Sequence, residues 1–319
     1  TENIRFGPGI CVLPLHHPVQ LIEEYCMLDH LSGGRLEIGV GRGGVFEAFF
    51  WGQDSDVEAN YARYRETLAA VQNGLSHDVL THQGEFYNFD ELPMRLRPMQ
   101  EPMPPFWYMR NVETAAMDGM NTIIVGGLDS FEANVTRYRW EWEKHHGVGA
   151  LTAQGTEPKI GLVVHLLLAD TDEEAMAQAE PAWEHYRWNL GTPRRLEAER
   201  RGLTQFTGEG MNPRPASIPA RELPREERRD LDAAMDNEER SGRQQRRENL
   251  RGLVSDDGGG AGFGSVAGSP ETIRKYMDEY AATGANYFVG AFQWGDLSHE
   301  QAMRSIELFT NEVMPHYTG

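Results

Sequence analysis

Hydrophobic positions along this chain fall into two recurring patterns, short apolar runs and longer stretches spaced at three and four residues, with glycine or proline at most borders. The run from Val12 to Gly44 holds both patterns in order. Ile10 to Leu15 is apolar and is expected to end at Pro14 and Pro18, because proline donates no hydrogen bond to a sheet and suits the first turn of a helix. Leu21, Ile22, Tyr25, Leu28 and Leu31 then recur at helical spacing, while Gln20, Glu23, Glu24 and Asp29 occupy the other face. Gly33 and Gly34 stop this helix, since glycine enters the left-handed conformation without steric penalty. Leu36 to Val40 is the next strand, and so short a step predicts a βαβ crossover.

The same alternation continues. The spacing of Tyr61, Tyr64, Leu68, Val71 and Leu75 predicts a helix over 56–75, and 85–89 reads as a short hairpin arm. Strands follow at 105–109, 121–127 and 159–168. A helix at 130–146 is expected to turn Phe131, Val135, Tyr138 and Trp142 inward. Thr171 and Glu174 stand at capping-box spacing, Ser269-Pro270 opens another helix, 286–294 is the last strand, and Ser298 with Gln301 caps the final helix. Strands starting near Ile4, Leu36, Pro105, Asn121, Lys159 and Asn286 alternate with helices, which predicts an α/β fold built on a parallel sheet.

Chemistry gathers at strand ends. Gly41-Arg42-Gly43-Gly44 follows the second strand at its carboxyl end, the edge where parallel α/β folds build their sites. Glycines let a backbone approach an anion, and a guanidinium grips phosphate through parallel hydrogen bonds. Spacing alone leaves open whether Arg42 serves an anion or pairs with a neighbouring carboxylate. The strand at 105–109 likewise ends in Arg110-Asn111, just before a helix start that contains Thr114, and offers either a phosphate cradle or an ordinary helix cap. His16 and His17 lie beyond the first strand beside Pro18, as acid–base candidates or as residues that only shape the turn. His165 sits mid-strand and reads as a core histidine. Adjacent histidines lack the spacing of a metal pair, so no metal site is expected.

Composition narrows the class. With 319 residues the chain can bury a large single core. Its formal net charge of −19 argues against nucleic acid or an anionic membrane as partner, since both reward basic surfaces. No apolar run approaches a bilayer span, and the two cysteines, Cys11 and Cys26, form neither a disulfide framework nor a zinc cluster, so a reducing cytoplasm is the simplest compartment. The segment 192–262 differs in kind. It carries 14 arginines, 14 acidic residues and five prolines, so it is neutral and the whole −19 falls on the rest of the chain. It reads as a polar, flexible insertion, with a possible ion-paired helix over 225–251, acting as a lid or as a surface excursion.

VLPLHHP at 12–18, MLDHLSGGR at 27–35 and GVGRG at 39–43 resemble the bacterial luciferase-like flavin-dependent monooxygenases. Weaker likeness continues through Gly84-Glu85-Phe86-Tyr87, Pro105-Phe106-Trp107, Glu113-Thr114-Ala115, Gly268-Ser269-Pro270-Glu271 and Glu312-Val313-Met314-Pro315. The resemblance implies a single (β/α)8 TIM barrel domain over 1–319. The numbering opens at what the family would count as its third strand, so two opening β/α units are expected before Thr1. It also implies a monooxygenase that uses reduced FMN (FMNH2), delivered by a separate flavin reductase, and molecular oxygen to oxygenate a small organic substrate, and that works as a homodimer. The flavin phosphate is then expected at Gly41, Arg42, Gly43, Arg110, Asn111 and Thr114, with His16 and His17 near the flavin ring or the substrate. Two alternatives stand beside it: a deazaflavin-dependent hydride-transfer enzyme of the same superfamily, and a non-catalytic barrel subunit of a heteromer.

Overall fold

The computed structural model describes residues 2–44, 47–48, 51–53, 57–109, 111–201, 254–256 and 264–317. Arg110 and most of the polar segment, including 225–251, lie outside the described residues. The chain divides into two compact units, Thr1–Ile124 with Ala133–Ile160, and Val125–Glu132 with Gly161–Gly319.

In the first unit, strands β1 (Cys11–Val12), β2 (Ile38–Gly41), β5 (Phe106–Met109) and β6 (Asn121–Ile124) pair in that order, all parallel. Helices α1 (Pro18–Ser32), α2 (Val57–Ser76) and the short α3 (Val112–Met117) join them, and β3 (Val79–Gln83) with β4 (Asn88–Pro93) forms a separate antiparallel hairpin. Every residue of β2 is buried, as a parallel strand covered on both faces requires. Near Ile4 the expected strand reduces to a single bridge between Phe6 and Leu36. The expected run 10–15 is a strand only at Cys11–Val12, because Pro14 turns Leu13–Leu15 into a 3-10 helix.

α1 corrects the sequence reading of its own faces. Leu21, Ile22 and Tyr25 are buried, but Leu28 and Leu31 are exposed, and Asp29 is fully buried instead. The reason is a hydrogen-bonding demand that periodicity does not register. The Asp29 carboxylate accepts from the Met99 amide at 2.8 Å, the Gln100 amide at 2.9 Å and the Gln100 side-chain amide at 2.7 Å. That loop has no ladder partners there, so a buried acceptor supplies them.

In the second unit, β10 (Tyr287–Ala291), β7 (Ile160–Leu168) and β9 (Gly264–Gly268) are parallel neighbours, with β8 (Val254–Asp256) antiparallel at the far side of β9. β9 is a strand that sequence reading missed. Gly-Ser-Val-Ala-Gly is small-sided and borders the polar segment, so it lacks the apolar length that marks its neighbours, yet Ser265, Val266 and Ala267 are all buried. Helix α4 (Leu128–His146) runs from residues of the second unit into the first, while α5 (Asp172–Arg200), α6 (Pro270–Ala282) and α7 (His299–Leu308) belong to the second; Phe131, Val135, Tyr138 and Trp142 of α4 are buried as their spacing predicts. α5 continues through 192–200, the first residues of the polar segment. α7 carries the expected capping box between Ser298 and Gln301.

Candidate active site

Register places the candidate segments of the first unit side by side. Val12 lies opposite Gly41, and Val40 opposite Tyr108, so the residues leaving β1, β2 and β5 emerge at one carboxyl edge. Leu13 and Pro14 are buried and pin the first exit, where the His16 amide donates to the Leu13 carbonyl at 3.1 Å. His17 is the N-cap residue of α1, with Pro18 at the first helical position. Both histidine side chains are exposed. The His17 ring stands edge-on to two rings of the β3–β4 hairpin, Tyr87 at 5.5 Å and Phe89 at 5.9 Å, and the Tyr87 hydroxyl donates to the His16 carbonyl at 3.3 Å.

The second exit holds Arg42 in a tight loop flanked by glycines. A Cβ at Gly41 would fall 2.0 Å from Ile10 Cδ1, and Gly43 has φ +69° with Val12 Cγ1 2.5 Å from where its Cβ would stand. Arg42 Nη1 is buried and has no hydrogen-bond partner among the described residues. Among the described residues, no carboxylate pairs with that nitrogen.

One tyrosine feels the charge of this arginine, and a second packs on the first. Tyr108, near the end of β5, has its hydroxyl pushed up by burial and by Tyr61, while the positive charge of Arg42 opposes that rise. Tyr64 of α2 packs its ring 5.7 Å from Tyr108, and among the described residues its buried hydroxyl has no hydrogen-bond partner. Burial first, then the proximity of Tyr108 and Asp118, pushes the Tyr64 hydroxyl far above its ordinary value, so it remains a neutral donor. By contrast Arg65, the next residue, pairs with Asp118, and that hydrogen bond raises it further. A guanidinium nitrogen and a neutral phenol are both hydrogen-bond donors, groups that can hold an anion. Tyr64 was legible only as one member of an apolar stripe, and no sequence signal separated it from the others.

At the third exit, Asn111 is an N-cap: its side-chain oxygen accepts from the Thr114 amide at 2.8 Å. That bond uses one of the groups expected to cradle phosphate, and α3 is only six residues long. In the second unit, His165 is buried against Tyr186 at 4.4 Å, Trp183 at 5.3 Å and Trp294 at 6.0 Å, the packing of a core histidine. Among the described residues, no group of three His, Cys, Asp or Glu could hold a metal ion, and no helix is long and apolar enough to cross a membrane.

The profile of the family described as luciferase-like monooxygenase matches residues 1–287. The chain belongs to the luciferase-like monooxygenase family. Among the curated relatives of this luciferase-like protein, the oxygenase component of the flavin-dependent trigonelline monooxygenase of Acinetobacter baylyi is 30% identical over 187 residues, 56% of this chain and 50% of the relative. The FMNH2-dependent dimethylsulfone monooxygenase of Pseudomonas putida is 25% identical over 188 residues, 56% of this chain and 48% of the relative. The chain thus spans about half the length of these relatives. Among solved structures, monooxygenase RslO1 from Streptomyces bottropensis aligns with a TM-score of 0.65 at 19% identity, over 100% of this chain and 80% of that one. The coenzyme F420-dependent tetrahydromethanopterin reductase from Methanopyrus kandleri aligns with a TM-score of 0.62 at 18% identity, over 99% of this chain and 84% of that one. Profile and neighbours establish the fold class expected from the sequence, the luciferase-like TIM barrel.

Proposed function

We propose that this luciferase-like chain is a flavin-dependent monooxygenase that uses reduced FMN and molecular oxygen to oxygenate a small organic substrate. The observation that carries the reading is the buried, unpartnered Nη1 of Arg42 in its glycine-walled loop, within a chain whose family includes FMNH2-dependent monooxygenases. A flavin phosphate fits that group set: Arg42 supplies charge and directed donors, Gly41 and Gly43 let the backbone approach, and Tyr108, which feels the Arg42 charge, carries a further hydroxyl donor. Arg110, Asn111 and Thr114 complete the phosphate end, Asn111 through the amide nitrogen that its cap does not use.

When bound, reduced FMN supplies two electrons to dioxygen, one oxygen atom passing to the substrate and the other leaving as water. The protein's own residues bind and orient. His16 and His17 border the edge where Arg42 emerges, and their imidazole nitrogens can accept or return a proton. Tyr87 and Phe89 stand edge-on to the His17 ring and orient it. A separate flavin reductase supplies the cofactor, and the chain works in a reducing cytoplasm. Met27, Leu28 and Leu31, exposed along α1, support the homodimer that the family resemblance implies.

Anaerobic titration of the full chain with reduced FMN, and separately with reduced deazaflavin, tests the reading. Selective binding of reduced FMN is expected, abolished or strongly weakened in Arg42→Met. Preference for the deazaflavin would replace the oxygenase by a hydride-transfer enzyme. Binding of neither would leave a non-catalytic barrel subunit.

A further inference from the structure

The two aromatic rings that flank His17 are held by a device elsewhere in the same unit. Glu66 lies mid-way along α2, and its carboxylate is wrapped by the backbone of the β3–β4 tip. Oε2 accepts from the Glu85 amide at 2.9 Å and the Phe86 amide at 3.1 Å, and Oε1 accepts from the Phe86 amide at 3.0 Å and the Tyr87 amide at 2.6 Å. His82 Nε2 stands 3.4 Å from Oε1. Three successive amides converging on one carboxylate form an anion nest whose guest is part of the chain. Gly84 is shaped by this guest, since a Cβ there would fall 2.1 Å from Glu66 Oε1. One turn earlier on α2, the Arg63 guanidinium lies over the Phe86 ring at 4.2 Å from its centroid. Burial alone would raise the Glu66 carboxyl, yet the amides of Phe86, Tyr87 and Glu85 with His82 outweigh it and hold the group below its ordinary value, so it is the charged form that the tip grips.

A two-stranded hairpin is marginal by itself, so this one takes its orientation from what it is anchored to. At the tip the Phe86 ring meets Arg63, while the Tyr87 and Phe89 rings stack on each other at 6.3 Å. That pair meets His17, and the Tyr87 hydroxyl reaches the His16 carbonyl. An exposed imidazole has little else to fix its rotamer.

We propose that Glu66 is a positioning residue: by clamping the hairpin tip it sets Tyr87 and Phe89 against His17 and so fixes the orientation of the His17 imidazole. The catalytic meaning of that orientation rests on the oxygenase reading above, but the coupling itself is a property of the chain without flavin. The sequence Gly84-Glu85-Phe86-Tyr87 is then more than a turn, because it is the receptor for a carboxylate contributed from α2.

The test uses the full chain labelled at histidine Cε1, with the His17 resonance assigned by its loss in His17→Gln. Glu66→Gln turns an amide nitrogen toward the nest, and Gly84→Ala breaks the same contact from the other side. In both, the His17 resonance is expected to shift away from its wild-type position, as ring currents from Tyr87 and Phe89 change, and the Phe86 and Tyr87 amides are expected to exchange about tenfold faster or more. Tyr87→Leu, which leaves the clamp intact, should move His17 as well. Asp172→Asn, which weakens a carboxylate clamp in the second unit where Asp172 accepts from the Ser269 amide and the Thr272 hydroxyl, should leave His17 where it is. An unmoved His17 resonance in Glu66→Gln and Gly84→Ala, with tip amides deprotected, overturns the proposal, as does an unmoved resonance in Tyr87→Leu. Failure of the wild-type chain to bind reduced FMN overturns the oxygenase reading and leaves this coupling standing.

Discussion

Arg42 offers the sharpest test, because its two readings predict opposite signs in two assays. Its Nη1 is buried without a partner among the described residues, a state that costs about 1–3 kcal/mol for a polar group and is tolerated when a ligand relieves it. Arg42→Met keeps much of the side chain's length and removes the unpaired donor. The flavin-free chain should therefore melt at the same temperature or slightly higher, by roughly 0–4 °C for a chain of this size. Reduced FMN should bind far more weakly: losing one or two charge-assisted hydrogen bonds to phosphate removes about 2–3 kcal/mol, a factor of about 30–150 in Kd. Arg42→Lys keeps the charge without the fork and should fall between. Differential scanning fluorimetry without flavin and anaerobic fluorescence titration with it measure the two effects. A flavin-free chain that melts several degrees lower in Arg42→Met, with reduced FMN bound within twofold of wild type, would mean a structural arginine and refute the reasoning.

Other outcomes follow from the same geometry. Asp29→Ala strips the acceptor from the Met99 and Gln100 amides inside a fully buried position, and should destabilise the first unit by about 3–4 kcal/mol, read as faster amide exchange at Met99 and Gln100. Asp172 is held below its ordinary value by the Ser269 amide first, and also by the Ser269 and Thr272 hydroxyls and Lys275, against the opposing effect of burial. Because its native pKa is depressed, its contribution is present above the ordinary aspartate value, about 3.9, and is lost as pH falls through the native one. Urea unfolding at stepped pH should show Asp172→Asn less stable than wild type at pH 6, with the gap closing below pH 3.5. Gly295 has φ +60°, and a Cβ there would fall 1.9 Å from the Ala182 carbonyl oxygen, so Gly295→Ala should cost about 2–4 kcal/mol by thermal or denaturant unfolding.

The sequence by itself determined the alternation of strands and helices, and with it the fold class. Pro18 at the first turn of α1, Gly33 in the left-handed region at its end, the Ser298 capping box and the buried stripe of α4 are local facts of stereochemistry and period, so they can be read along the chain. The glycine-flanked Arg42 was legible for the same reason: its neighbours had to be small, and it followed a strand. Tertiary structure decided the rest, wherever a residue's role depends on a partner distant in sequence. Asp29 is buried because a loop some seventy residues later lacks acceptors. β9 is a strand because its neighbour β7 supplies the ladder that its small residues could not announce. Tyr64 differs from the other stripe residues of α2 only because Tyr108 and the carboxyl edge of the sheet lie against it. Glu66 reads as one more surface acid until the hairpin tip closes on it. Hydrophobic period reports which way a side chain faces, and hydrogen-bonding partners, which no period encodes, report what it does there.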